Sequence, residues 1–204
     1  GMDYPLWSVK KINQWLINHK GCEFLQGICM DTDYINAKQK EMYTVARPLF
    51  KSNKFSILAR KILRLTGYRK KRHFSVDGEL WKLYKGSAWW CISEELASHI
   101  LHMFETRKQI KAYFKDSFCP AETLIQTIAF NTPKWAKKCI LTEGEYPGLP
   151  ALTPLHFIDY EPIIKIMDEN DYDRLMESGK MFCRKVVSGK SDRLIELLQQ
   201  RTNT

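Results

Sequence analysis

The sequence has no long apolar run, no glycine-rich phosphate loop and no closely spaced cysteine pair, and each absence excludes a class. A membrane-spanning helix needs roughly 18–20 consecutive apolar residues, and no stretch approaches that. The opening Gly1-Met2-Asp3-Tyr4-Pro5 lacks the basic and apolar regions of a secretory signal. The six cysteines, at positions 22, 29, 91, 119, 139 and 183, form no C-x-x-C, which removes zinc-ribbon spacing. They read as reduced thiols, because a 204-residue chain can build its own core without disulfides. Ten glycines and eight prolines are too few for a collagenous or low-complexity chain. G-x-S-x-G and H-E-x-x-H are missing as well. Together these features predict a soluble, cytoplasmic protein forming one domain over 1–204.

What is present is charge of one sign in one place. Lys and Arg number 32 against 23 Asp and Glu, a net charge of +9. Between Met42 and Val76 no acidic residue occurs, while Arg47, Lys51, Lys54, Arg60, Lys61, Arg64, Arg69, Lys70, Lys71 and Arg72 do. A basic segment over 47–72 attracts polyanions: nucleic acid, anionic lipid headgroups at a membrane surface, or a nucleotide diphosphate. Its bland counterpart is a solvated helix and loop.

Capping and periodicity predict helices over about 9–19 after Ser8, 55–65 ending at Gly67, 94–105 after Ser93, 120–130 led by Pro120, and 192–200 after Ser191. Leu96, Ile100, Leu101 and Phe104 form the expected buried face of the third-named helix. Strands are expected at 22–28, 80–84, 88–92, 139–141, 155–158 and 181–186, with a polar loop over 29–54. Alternating helices and short strands indicate an α/β fold.

Several constellations bear on chemistry. Asp31-Thr32-Asp33 matches the D-x-D of metal-dependent sugar-nucleotide transferases, but two acids one residue apart arise constantly by chance, and a loop or cap role is the favoured reading. His99 and His102 share a helix face without an evident third metal ligand. Gly86-Ser87-Ala88-Trp89-Trp90 delivers two indoles, which strand alternation sends to opposite faces. Glu122, just after Pro120, is either an acid complementing a helix dipole or a general base. Arg184-Lys185, within an apolar strand, must face solvent or an anion.

In register, four segments resemble the core-2/I-branching glycosyltransferases, glycosyltransferase family 14. They are Asp3-Tyr4-Pro5-Leu6, Gly86-Ser87-Ala88-Trp89-Trp90 followed by Ser93-Glu94-Glu95, Cys119-Pro120-Ala121-Glu122, and Ser178 to Val186 with Phe182-Cys183-Arg184-Lys185. The resemblance covers the C-terminal two-thirds of such enzymes. It implies a GT-A-type fold lacking part of the N-terminal nucleotide-binding half. It further implies inverting, metal-independent transfer of a GlcNAc-like sugar from a UDP-sugar to a saccharide hydroxyl. By resemblance Glu122 is the catalytic base, and Lys185, Arg184 and His156 bind the donor diphosphate. His156 stands where many members carry arginine. Asp3, Ser87, Trp89 and Trp90 contact the acceptor, and no metal cofactor is implied. Two other readings compete: a nucleic-acid- or polyanion-binding module built on 47–72, and a non-catalytic remnant of the fold.

Overall fold

The structure, a computed structural model, describes residues 2–32, 54–67, 70–115, 117, 119–160 and 163–202. Most of the polar stretch expected as a loop over 29–54 lies outside these residues. The fold is mixed α/β, with three small sheets among the described residues. In chain order come β1 (Asp3–Pro5), α1 (Val9–Asn18), β2 (Gln26–Cys29), α2 (Lys54–Leu65), β3 (His73–Val76), β4 (Glu79–Lys82) and β5 (Tyr84–Gly86). There follow α3 (Glu94–Thr106), α4 (Lys108–Phe114), a 3₁₀ turn at Pro120–Glu122, α5 (Leu124–Phe130), α6 (Pro133–Ala136) and β6 (Ile140–Thr142). Beyond 3₁₀ turns at Pro150–Leu152 and Glu169–Asp171, the chain forms β7 (His156–Ile158), α7 (Tyr172–Glu177), β8 (Phe182–Arg184) and α8 (Asp192–Thr202).

One sheet has the order β1-β8-β7, antiparallel then parallel, so the first strand of the chain pairs with the last. Its apolar cluster joins Leu6, Met167, Leu175, Cys183, Val186, Leu194 and Leu198. A second sheet, β5-β2-β6, sits with α3 to α6 around a larger cluster that includes Leu25, Ile28, Leu83, Leu96, Ile110, Ile128 and Trp135. The third is the β3-β4 hairpin, closed at Asp77-Gly78, where both residues have positive φ (52° and 90°). Asp-Gly is a strong signal for such a turn.

The caps explain where the main helices start. Ser8 Oγ accepts from Lys11 N, and Ser93 Oγ accepts from Leu96 N. Ser93 is itself held by buried Glu23, whose carboxylate accepts from the Ser93 amide at 2.7 Å and hydroxyl at 2.6 Å. A carboxylate at a helix N-terminus is favoured by the dipole as well as by these bonds.

Five expectations need correction. Residues 80–84 are not one strand: β4 ends at Lys82 and β5 begins at Tyr84. Trp89 and Trp90 follow β5 outside any strand, because Ser87 Oγ donates to Trp89 O and accepts from Trp89 N, folding the segment out of the ladder. The helix expected from Pro120 is broken at Thr123 (φ −135°), so Glu122 closes a separate 3₁₀ turn. Leu101 is 57% exposed, because α3 turns Leu96 and Ile100 inward and the neighbouring position outward. Ser191 spends its hydroxyl on Met167 O and Val187 N, inside the fold, instead of capping α8.

The edge of β5 is covered by α5. Thr127 Oγ1 accepts from Tyr84 N at 3.0 Å, Asn131 bonds both the amide and the carbonyl of Lys82, and Gln126 Nε2 donates to Ser87 O at 2.7 Å. This ladder of side chains does for the strand what another strand would do. It also explains Gly27, where a Cβ would lie 2.6 Å from the Phe130 ring, and Gly86, where it would collide with Gln26 O.

Candidate functional site

Strand alternation divides the β1-β8-β7 sheet into two faces. Tyr4, Cys183 and Phe157 are register partners and face the apolar cluster beneath. Asp3 pairs with Arg184, and His156 pairs with Phe182, so these four residues share the other face. Arg184 Nη1 donates to Asp3 Oδ2 at 2.6 Å, and His156 Nε2 lies 3.7 Å from Asp3 Oδ1. His156 stacks on Phe182 with ring centroids 4.9 Å apart. Trp89 covers the group: its ring centroid is 5.1 Å from the Arg184 guanidinium carbon and 6.3 Å from the His156 ring. Burial holds the His156 imidazole below its usual pKa, Asp3 pulls it up, and Arg184 and Lys180 push it down again. His156 is therefore neutral at pH 7 and offers a hydrogen bond rather than a charge. Two buried nitrogens, Arg184 Nε and His156 Nδ1, have no hydrogen-bond partner among the described residues.

The second group centres on Glu122. Its Oε2 lies 3.5 Å from Lys85 Nζ, and Lys85 in turn donates to Tyr146 Oη at 3.2 Å. The Lys85 side chain is only 3% exposed, whereas Glu122 is 24% exposed at the rim. A buried ammonium needs a counter-charge, and Glu122 supplies it. Sequence reading missed Lys85 and Tyr146. The available signal was the one used for Arg184: a charge placed inside an otherwise apolar strand.

The two groups lie at opposite ends of one short segment. Lys85 is the residue before Gly86, and Trp89 is the last but one of Gly86–Trp90. Ser87, between them, is buried and held by Gln126 from α5. The expected parting of the indoles holds, since Trp90 packs on the larger apolar cluster while Trp89 goes to Arg184. Lys185 lies just beyond β8. Its backbone bonds Lys165 O and Met167 N, and its ammonium has no hydrogen-bond or ion-pair partner among the described residues.

Other candidates go elsewhere. Asp31 lies 3.8 Å from Arg72 Nη2 and 3.5 Å from His73 Nδ1, away from Glu122's partners, and Asp33 lies outside the described residues. His99 bonds Thr132 Oγ1, and burial lowers its pKa. Among the described residues no three His, Cys, Asp or Glu side chains are grouped to hold a metal ion. The basic segment is partly structural: Lys70 donates to Tyr113 O and Ser117 Oγ, and Arg72 donates to Met30 O at 2.8 Å. A cleft of about 400 Å³ lies at the carboxyl ends of parallel β2 and β6, lined by Cys29, Thr32, Tyr84 and Thr142, none of them singled out from the sequence.

No protein-family model matches the chain, and no curated protein matches it. The resemblance to branching glycosyltransferases therefore rests on the four motif segments alone. No described helix is long and apolar enough to cross a membrane.

Proposed function

We propose that this chain is a GT-A-type, inverting glycosyltransferase that moves a GlcNAc-like sugar from a UDP-sugar to a saccharide hydroxyl. Cationic side chains stand where related chemistry uses a metal. The observation that carries the reading is the unsatisfied buried Nε of Arg184, beside Trp89 and one short segment away from a carboxylate. The Arg184 Nε–H is a buried donor without a partner among the described residues, which is costly, and a diphosphate oxygen is an acceptor that would satisfy it. In this reading Arg184 and Lys185 neutralise the departing diphosphate. Glu122, open to solvent on one side and paired with Lys85 on the other, takes the proton of the acceptor hydroxyl as the sugar carbon is attacked. The Trp89 ring offers an apolar surface to the acceptor sugar.

The test uses UDP and inorganic pyrophosphate titrated by calorimetry, then UDP release from UDP-GlcNAc with a saccharide acceptor. Both anions are expected to bind, and Lys185→Ala and Arg184→Ala are each expected to weaken both about tenfold. Transfer is expected to persist in EDTA. Absence of binding by either anion, or a manganese requirement, overturns the reading and returns attention to Asp31 and Asp33.

A further inference from the structure

Helix α2 leaves most of its apolar stripe in solvent. In an ordinary surface helix the apolar stripe faces the core. Here Phe55, Leu58, Ile62 and Leu65 are 70%, 55%, 51% and 79% exposed. At about 100° per residue these four positions, with Ala59 and Leu63, occupy one continuous side of the helix. Only Ala59 and Leu63, at one margin of the stripe, are half-buried. The same period places Lys54, Arg60, Lys61 and Arg64 on the other side, joined by exposed Ile57. No acidic residue occurs from 42 to 76. An apolar side exposed to water is unfavourable, and its flanks carry charge of one sign only.

We propose that α2 is an in-plane membrane anchor that lays its Phe55–Leu58–Ile62–Leu65 side into an anionic lipid bilayer. The two halves of the helix each require this occupant. The acyl–headgroup boundary takes up the apolar side, and anionic headgroups meet the cations along its polar flanks. A second copy of the chain would bring two sets of cations together, which is repulsive. Nucleic acid would match the cations and leave the apolar side in water. This inference stands apart from the transfer chemistry, since none of its residues belongs to the Glu122 or Arg184 groups.

The experiment is co-sedimentation of the full chain with phosphatidylcholine vesicles, with and without phosphatidylglycerol. Binding is expected only to the anionic vesicles and is expected to weaken with salt. Leu58→Ser/Ile62→Ser is expected to lower the partition coefficient by about tenfold or more per side chain. Replacing Lys54, Arg60, Lys61 and Arg64 by Gln is expected to lower it about fivefold per charge. Because the apolar residues are exposed, the melting temperature is expected to stay at the wild-type value. If the double variant melts early, Phe55→Ser at the far end of the stripe takes its place. The proposal is overturned if anionic vesicles do not bind, or if binding ignores the apolar substitutions. It is equally overturned if sedimentation velocity shows a dimer that Leu58→Ser/Ile62→Ser dissolves, which would make a second copy the occupant.

Discussion

Replacing Glu122 by glutamine perturbs stability and chemistry together, and the structure sets a size for each. Lys85 is 3% exposed with Glu122 Oε2 3.5 Å away, so the substitution removes the counter-charge of a buried ammonium. Breaking a fully buried pair costs about 3–5 kcal/mol. The cost here is smaller for three reasons. Glu122 is 24% exposed, its separation exceeds that of a tight charge-assisted bond, and Tyr146 stays 3.2 Å from the ammonium. A loss of about 1–2 kcal/mol is expected after that discount, or about 2–8 °C in Tm for a domain of this size. A simple helix-start acid would cost only a few tenths of a kcal/mol. Lys85→Met removes the buried cation altogether, so Lys85→Met/Glu122→Gln is expected to recover most of the stability lost by Glu122→Gln. Transfer should behave differently. Glutamine cannot accept a proton, and loss of a general base typically costs about 10²–10⁴ in rate. Urea melts of the four proteins would be read beside initial rates from UDP-GlcNAc. Stability that returns in the double variant without turnover supports both roles. Additive stability effects would refute the pairing, and turnover that returns with stability would reduce Glu122 to a counter-ion.

Three other outcomes follow from single contacts. Glu23→Gln weakens two charge-assisted bonds at the start of α3 and is expected to cost about 2 kcal/mol, measured by urea denaturation; an unchanged midpoint would mean that Ser93 caps the helix unaided. Burial pushes the Cys183 thiol from 9.0 up to about 12. The fold therefore holds a proton that the unfolded chain releases above pH 9, and the stability this provides is lost as pH rises from there. Its contribution to the loss is about 1–2 kcal/mol by pH 10, so the alkaline fall in Tm should flatten in Cys183→Ala, and an identical slope would refute it. Gly86→Ala drives a Cβ against the Gln26 carbonyl within the β2–β5 ladder and is expected to abolish soluble expression or cost more than about 2 kcal/mol, whereas a wild-type melt would show that the ladder can shift.

Local signals carried much of the fold into the sequence. Ser8 and Ser93 mark real caps, and the apolar period of Leu96 and Ile100 matches a buried helix face. The short strands near 140, 156 and 182 also stand where the apolar runs placed them. Errors arose where tertiary partners decided. Trp89-Trp90 has β-propensity, yet a single hydroxyl, Ser87, competes with the ladder and ends it. Thr123 breaks a pattern that reads as one helix, because α5 must lie along the β5 edge to satisfy Lys82 and Tyr84. The α2 period revealed an amphipathic helix without revealing that its apolar side faces outward. For the candidate site, each charge was visible as an oddity, but pairing was not. Nothing in the spacing says that Asp3 meets Arg184, or that Lys85 meets Glu122, because both pairs depend on strand register and helix docking.

Asp3 offers the closest test of that register. It engages Arg184 at 2.6 Å and faces His156 at 3.7 Å, so it occupies the ground a diphosphate would need. Two anions cannot share one guanidinium without repulsion. If Arg184 belongs to the anion site, Asp3 competes with the ligand, and Asp3→Asn should tighten pyrophosphate binding. The pair is partly solvated, with side chains 21% and 33% exposed, which limits the gain to about 1 kcal/mol, roughly fivefold. If Asp3 instead contacts the acceptor, as the resemblance implies, transfer should fall in the same variant while pyrophosphate binding still improves. The two effects are separable because one is read by calorimetry with no sugar present and the other by product formation. Weaker pyrophosphate binding would mean that Asp3 orients Arg184 for the ligand. Unchanged binding would remove Arg184 from the anion site and leave Lys185 to carry it.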